Sequence, residues 1–474
     1  MVKLNRQKPI TKGGSLVNTI LLQKCQEFID QIINFFAADE IRVIEEMETT
    51  LKEYTDGFIL EMMSTYLENL DKAIEADKSG RRQKGIVIER KNDKREIFTV
   101  FGTMQFSRTY YYDKRQQEYT YLLDRVVGLE RNERVTGTVA VNLVEHASKY
   151  SYAKSSHNIT GGAISRQTVM NKVRLLDNLK IENSKEKKIV KVLHIDADED
   201  HVAMQDGSNA VVPLISVYEG IRRIGGRGQC INPHHISSYG KEPEELWLEA
   251  ANWIYSEYDV NFLERIYLHG DGAQWIKVGL DWLPKAKLVL DKYHLNKSIL
   301  QATGGHPERR REIYAAIRIG DLKSFKRSVS ELIKNTKSEK EQKKIKDFKK
   351  YIINNWQAIE IYSQENCGGS GTEGHVSHVL SSRLSSRPMG WSRKGLKAMT
   401  ELRAYISSGG RVKLEHLKQT KKKAYNLSKA GTAKMQKMLK HTQEQFNNIT
   451  ILNRGKVIPM FRCLKGLQKG SFEF

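Results

Sequence analysis

The stretch "LHIDADEDHV", residues 193–202, sets four carboxylates in five positions: Asp196, Asp198, Glu199 and Asp200. The run before it, "KKIVKVLHI", reads as a buried strand, apolar and rich in β-branched residues. Acid is thus concentrated at the end of an apolar strand in a chain of formal net charge +22. Clustered carboxylates repel one another and stay ionised side by side only where cations neutralise them. Oxygen donors of this kind suit Mg²⁺ or Mn²⁺. Asp196 and Asp198 share one face of the strand, because the side-chain period is two, and Glu199 points away. Asp200 either orients a neighbour or is solvated. Spacing alone leaves the choice between Asp196 and Asp198 open.

A metal pair needs acids from separate segments. "YLHGDGAQWI" supplies Asp271 between an apolar strand and a helix. Strand ends open into crevices where sites form, although the same residue also fits an ordinary helix N-cap. "GGSGTEGHVSHVLSSRLSSRPMGWS" supplies Glu373, after a Gly/Ser run and at the start of a helix. Alone, such a Glu is ordinary dipole complementarity. Its weight comes from being third in an ordered series. Two divalent ions about 4 Å apart, held by such acids, suit in-line attack at a phosphodiester.

That order is acid at the end of a first strand, acid at the end of a fourth, then a Glu on a late helix. With the blocks "HIDADEDHVAMQ", "YLHGDGAQWIK", "LVLDKYHLNKSI" and "EGHVSHVLSSRLSSRPMGWS", the chain resembles the DDE transposases over residues 95–410. The resemblance is closest to bacterial insertion-sequence transposases of the ISLre group, allied to the Mutator-like superfamily. It implies a ribonuclease-H-like catalytic core with a mixed sheet, and two Mg²⁺ or Mn²⁺ ions held by Asp198, Asp271 and Glu373. It favours Asp198 over Asp196 through the spacing to Gln205. "DKYH", Asp291 to His294, resembles the C/D-x-x-H element of those enzymes; both residues, with His375, are expected to support the site. A helical insertion before the catalytic Glu is implied, and 297–366 fits it. The implied partners are double-stranded DNA, as terminal inverted repeats and target, and a second copy of the chain when two ends are paired. The main rival is a catalytically silent, sequence-specific DNA-binding descendant of a transposase. A nuclease without strand transfer is another.

The remaining sequence agrees with a DNA partner. The 474 residues suggest two to four domains, and 39% hydrophobic content suffices for folded cores. The charge argues for a polyanion, nucleic acid first and a membrane surface second. No apolar run reaches the roughly 18 residues of a membrane helix, and "MVKLNRQKPITKGG" lacks the apolar core of a signal peptide. A bacterial cytoplasmic, nucleoid-associated location is expected. Cys25, Cys230, Cys367 and Cys463 are widely spaced with no CxxC, which argues against a zinc knuckle or disulfide framework.

The expected fold class is multidomain α+β. Residues 1–95 are helical, 96–185 hold a β-hairpin and a helix-turn-helix, and 186–296 with 367–410 form the catalytic domain. The helical insertion is 297–366, and 411–474 is a basic C-terminal region with 15 Lys/Arg against 3 Glu. Arg108 and Tyr110–Tyr112 mix base and aromatic in the hairpin, which suits nucleic acid or plain packing. In "SRQTVMNKVRLL", Ser165 fits an N-cap, and Arg166, Gln167, Asn171 and Lys172 are placed as on a recognition helix. Further DNA contacts are expected at Arg383, Arg387, Trp391, Lys421, Lys422 and Lys423. His234, His235, His375 and His378 lack the Cys partners or HExxH spacing of a zinc site. Trp247, Trp253, Trp275, Trp282 and Trp356 are expected in cores.

Overall fold

The computed structural model describes residues 14–37, 42–225 and 227–417, with positions 425, 428, 432 and 433. Lys421, Lys422, Lys423 and most of the basic C-terminal region lie outside the described residues. The chain divides into two units, one of residues 1–142, 156–164 and 419–474, the other of 143–155 and 165–418.

In the first unit, the three- and four-residue apolar spacing yields α1 (Gly14–Ala37) and α2 (Ile44–Ala76), as predicted. After α3 (Lys78–Lys84), Gly85 takes a φ of 74° and turns the chain into a sheet. That sheet is antiparallel, in the order β1 (Ile86–Thr99), β2 (Gly102–Asp113), β3 (Glu118–Tyr121). Met104, Phe106 and Tyr111 on one face of β2 pack with Leu67, Leu70 and Ile74 of α2. Leu122 and Leu123 of α4 (Leu122–Val127) complete the cluster. The other face carries Tyr110, Tyr112, Tyr119 and Tyr121 in mutual ring contact, with the Arg108 guanidinium 3.5 Å from the Tyr121 ring centroid. Arg108 also pairs with Asp124, which holds buried Arg95 at 2.7 Å. The basic–aromatic mixture of the hairpin is therefore largely knitted to itself.

Three short helices follow: α5 (Gly137–Ala147), α6 (Tyr152–Thr160) and α7 (Arg166–Val173). Ser165 caps α7 as expected, its Oγ accepting the Thr168 N–H at 3.3 Å. The expected separate region 96–185 is divided, however: the hairpin belongs to the first unit and α7 to the second.

The second unit is built on β4 (Val192–Ala203), β5 (Asn209–Tyr218), β6 (Ile221–Ile224), β7 (Arg227–Cys230) and β8 (His234–Ile236). It continues through α8 (Pro243–Glu257), β9 (Arg265–Gly270), α9 (Gln274–Lys277), α10 (Gly279–Trp282), β10 (Ala286–Leu290) and α11 (Lys292–Thr303). Five strands form a mixed sheet in the order β10-β9-β4-β5-β8. The β4–β5 and β5–β8 pairs are antiparallel; β9 and β10 run parallel to β4. Apart from β6 and β7, a two-stranded hairpin where the sequence reads as a turn, this is the predicted series of three strands, helix, strand, helix, strand. Leu193, Ile195 and Ala197 of β4 join Trp247, Ile254 and Leu268 in the core beneath α8, with Trp253, Trp275 and Trp282 at its edge. The predicted insertion is helical: α12 (Pro307–Ile319), α13 (Leu322–Asn335), α14 (Glu339–Asn354) and α15 (Trp356–Gln364). Phe325, Val329, Leu332, Phe348, Ile352 and Trp356 form its core. The chain then enters α16 (Thr372–His375), a turn of π-helix (Val376–Ser381), α17 (Ser382–Leu384) and α18 (Arg393–Ser407). No helix among the described residues is long and apolar enough to cross a membrane.

Candidate active site

The four acids of the opening stretch meet four different surroundings. Glu199 lies on the core side of β4, where Trp275 Nε1 donates to it at 2.9 Å. Asp200 is buried, and the Ser385 hydroxyl lies 2.9 and 3.0 Å from its two oxygens. Asp196 is 2% exposed. Its Oδ1 accepts the Tyr218 hydroxyl at 3.0 Å, and its Oδ2 accepts the Gly371 N–H at 2.7 Å and stands 3.2 Å from His375 Nδ1. Asp196 Oδ2 thus fastens the 371–375 segment onto β4, while Oδ1 is held by Tyr218 of β5. Burial alone would make His375 a weaker base, but the Asp196 carboxylate outweighs it and holds the imidazole at a pKa of about 9.

Asp198 is only half-buried, and one of its oxygens accepts the Glu199 N–H at 2.9 Å. Burial, and the charges of Asp271 and Glu373, push its pKa up to about 6; His294 pulls the other way. Three acids far apart in sequence are thus close enough to act on one another. Asp271 directly follows β9, and its Oδ1 accepts the Ala273 N–H at 2.8 Å in a tight turn. Gly272 has a φ of 86°, and a Cβ there would lie 2.4 Å from Asn355 Oδ1, so only glycine fits. Tyr351 of the insertion donates its hydroxyl to the Asp271 carbonyl at 2.8 Å. The helical insertion therefore props the turn that carries the second acid. Glu373 is exposed on α16, just ahead of the π-turn, a feature common at functional sites.

Asp291 caps α11, accepting the His294 N–H at 3.1 Å, and stands 3.1 Å from His294 Nδ1. Burial opposes its ionisation, but the bonds from His294 and Ser370 prevail and hold its pKa at about 2. The same bond raises the pKa of His294, whose ring is also acted on by Asp198 and Asp271. Asp291 thus orients the His294 ring, which lies within electrostatic range of Asp198 and Asp271. Among the described residues, no three His, Cys, Asp or Glu side chains are close enough together to hold a metal ion. Asp198, Asp271 and Glu373 lie within electrostatic range of one another but are spaced more openly than a set of metal ligands.

Two expected DNA contacts need correction. Arg383 is 6% exposed, stacks against Tyr152 and Trp391, and donates to the Ala147 carbonyl at 2.9 Å. Trp391 is equally buried; its Nε1 donates to the Leu384 carbonyl, and its backbone bonds to Ala203 and Gln205 extend the end of β4. Both are interior residues, and the charged flanks of Trp391 in sequence gave no sign of it. Arg387 is exposed, as are Arg166, Gln167 and Asn171; Gln167 bonds Asn171 at 3.2 Å, and Lys172 is half-buried. His234 stacks on Trp253, and His235 shares a 2.8 Å bond with the Ser216 hydroxyl, so both serve packing. The residues missed from sequence are Tyr218, Tyr351 and Cys230. None sits in a motif, and each acts through a distant partner.

The fold and site define a class first: a mixed α+β chain whose carboxylates gather where β4, β9 and α16 meet. The chain belongs to the UPF0236 family, described as an uncharacterised protein family, whose model matches residues 37–422. A UPF0236 protein of Caldanaerobacter subterraneus subsp. tengcongensis, whose name joins eleven gene designations, is 42% identical over 95% of this chain and 97% of its own length. Another from that organism, with four designations, is 40% identical over 95% of this chain and 97% of itself. A more distant relative from Streptococcus gallolyticus, named as a UPF0236 protein in the vanSb 3′ region, is 24% identical over 76% of this chain and 82% of itself.

Proposed function

We propose that this chain is a DDE-type DNA transposase that binds the terminal repeats of its own insertion sequence, cuts there, and joins the freed end to target DNA. The observation that carries the reading is the placement of Asp198, Asp271 and Glu373, from three segments far apart in sequence, within electrostatic range of one another. Two further facts support it. The sheet order, with an antiparallel trio followed by two parallel strands, agrees with a ribonuclease-H-like core. A relative whose name joins eleven gene designations in one organism is what a self-copying element leaves behind.

Asp198, Asp271 and Glu373 would hold two Mg²⁺ or Mn²⁺ ions, which when bound activate the attacking oxygen and stabilise the leaving one. The chain's own residues do the rest. Asp291 orients His294 beside the acids, where it can pass a proton to or from the reacting oxygens. Tyr351 holds the turn of Asp271, with Asn355 packed close to Gly272, and Asp196 with His375 holds the segment of Glu373. Water attacks the phosphodiester and frees a 3′-OH; that 3′-OH then attacks a target phosphodiester. The exposed Arg166, Gln167 and Asn171 of α7 read base edges, Lys172 contacts phosphate and positions the helix, and Arg387 and the basic tail hold backbone phosphates. Pairing two ends calls for at least a dimer.

The test is to incubate purified protein and Mg²⁺ with duplex DNA spanning the gene's boundaries and look for a 3′-OH nick and a joined product. The open spacing of the three acids favours one rival, a silent DNA-binding descendant. It expects a footprint on the ends with no nick, and that result would replace the present reading.

A further inference from the structure

The hairpin of β6 and β7 pairs with itself and stands outside the five-stranded sheet. All four residues of β6 are exposed, with Ile221 at 38% and Ile224 at 52%. Alternation places Ile221 with Arg223 on one face and Arg222 with Ile224 on the other. Residues 221–230 hold three arginines and no acid. A two-stranded hairpin is marginal alone in water, and an exposed strand edge invites a partner.

The feet of this arm are fastened. Glu219 and Gly220 exchange backbone bonds with Ile231 at 3.0 and 2.8 Å. Tyr218, at the end of the entering strand, donates to Asp196. Cys230, at the end of the returning strand, has its Sγ 3.2 Å from His375 Nε2, and His375 in turn pairs with Asp196. Both ends are thus tied to Asp196, the entering one directly and the returning one through His375. That carboxylate also receives the N–H of Gly371, two residues before Glu373. The arm and the third acid share an anchor.

We propose that the β6–β7 arm clasps duplex DNA beside the phosphodiester presented to Asp198, Asp271 and Glu373. Arg222 and Arg223 meet backbone phosphates, and Ile224 lies against a base step. The inference rests on the functional reading above. The chemistry fits because arginine pairs with phosphate in forked geometry and apolar side chains wedge between base steps where duplexes are opened. An acid-free surface with two separated isoleucines suits a polyanion better than an apolar protein face.

The experiment uses the full chain with a photo-crosslinking residue at Ile224, bound in Ca²⁺ to duplex spanning a gene boundary. Crosslinks are expected within a few base pairs of the phosphate that is cut when Mg²⁺ is supplied. The double variant R222A/R223A should flatten the slope of log affinity against log salt by about 2. It should also slow cutting roughly tenfold or more through lost positioning, with an unchanged melting temperature, since both residues are exposed. Absent crosslinks in a complex that footprinting shows to have formed would overturn the proposal. So would an unchanged slope and rate, or preferential crosslinking to RNA of the same sequence. If the unsubstituted chain leaves no footprint, the transposase reading fails first and takes this inference with it.

Discussion

Asp196 and Asp198 are two positions apart on one strand face, yet opposite results are expected from the same substitution. Asp196→Asn leaves the His375 imidazolium without its buried counter-ion and weakens the bonds from Tyr218 and Gly371. The cost should be about 3 kcal/mol or more, read as a lower denaturant midpoint. Asp198→Asn removes a charge that its neighbours repel, so in metal-free buffer at neutral pH stability should hold or rise. Equal losses for the two variants would contradict the assignment of roles. His375 adds a pH signature. Its folded pKa of about 9 lies above the ordinary histidine value of about 6.5. The stability it contributes is therefore complete below about pH 6.5 and is lost as pH rises toward 9. Melts of wild type should fall across that window, and His375→Asn should flatten the fall; parallel curves would contradict the pairing. None of this was legible in the stretch itself. Period two puts both acids on one face, and what separates them is Gly371 and His375, some 175 positions away.

At the scale of elements, periodicity carried far. The helices of 15–79, the strand series of 186–296 and the helical insertion follow from apolar spacing and from glycine and proline breaks. The β6–β7 hairpin escaped because its strands are four residues long and β6 is exposed throughout, so no burial pattern marks it. Arg383 and Trp391 were misread for a different reason. Bases flank Trp391 in sequence, and Ala147, the acceptor of the Arg383 bond, lies 236 positions back. Arg383 stacks between Tyr152 and Trp391 as part of the packing that ties 382–391 to β4. Arg383→Ala should therefore cost about 2–4 kcal/mol of stability, as for a buried, bonded cation, read as a lower melting temperature. It should leave the salt slope of DNA binding unchanged. A stable variant with a flatter slope would return Arg383 to the DNA surface.

Over the whole molecule, the excess of base and the gathered acids have complementary parts: most of the chain carries positive charge, and one cluster excludes it. The three acids and the DxxH pair stand out in the sequence because they end predicted strands or open predicted helices. Their supports, Tyr351 and Tyr218, do not, because tertiary contacts alone define them. Asp198, raised to about pKa 6 from an ordinary value near 3.9, is a destabilising charge once pH passes through 6. Mg²⁺ or Mn²⁺ should therefore raise the melting temperature more at pH 7.5 than at pH 5. Saturation a hundredfold above the dissociation constant corresponds to about 2.7 kcal/mol. The increment should vanish in Asp198→Asn; an equal increment at both pH values or in that variant would place the cation elsewhere.

The most direct measurement is the nick-and-join assay on boundary DNA, run with Asp198→Asn, Asp271→Asn, Glu373→Gln and the wild type side by side. Each amide keeps the shape of its side chain and loses the charge that holds a divalent ion. Wild type should release a 3′-OH and form joined product only with Mg²⁺ or Mn²⁺. Each variant should bind the ends with wild-type affinity and yield neither product. Cutting that survives all three substitutions, or that proceeds in a chelator, would contradict the assignment of this cluster as the catalytic site.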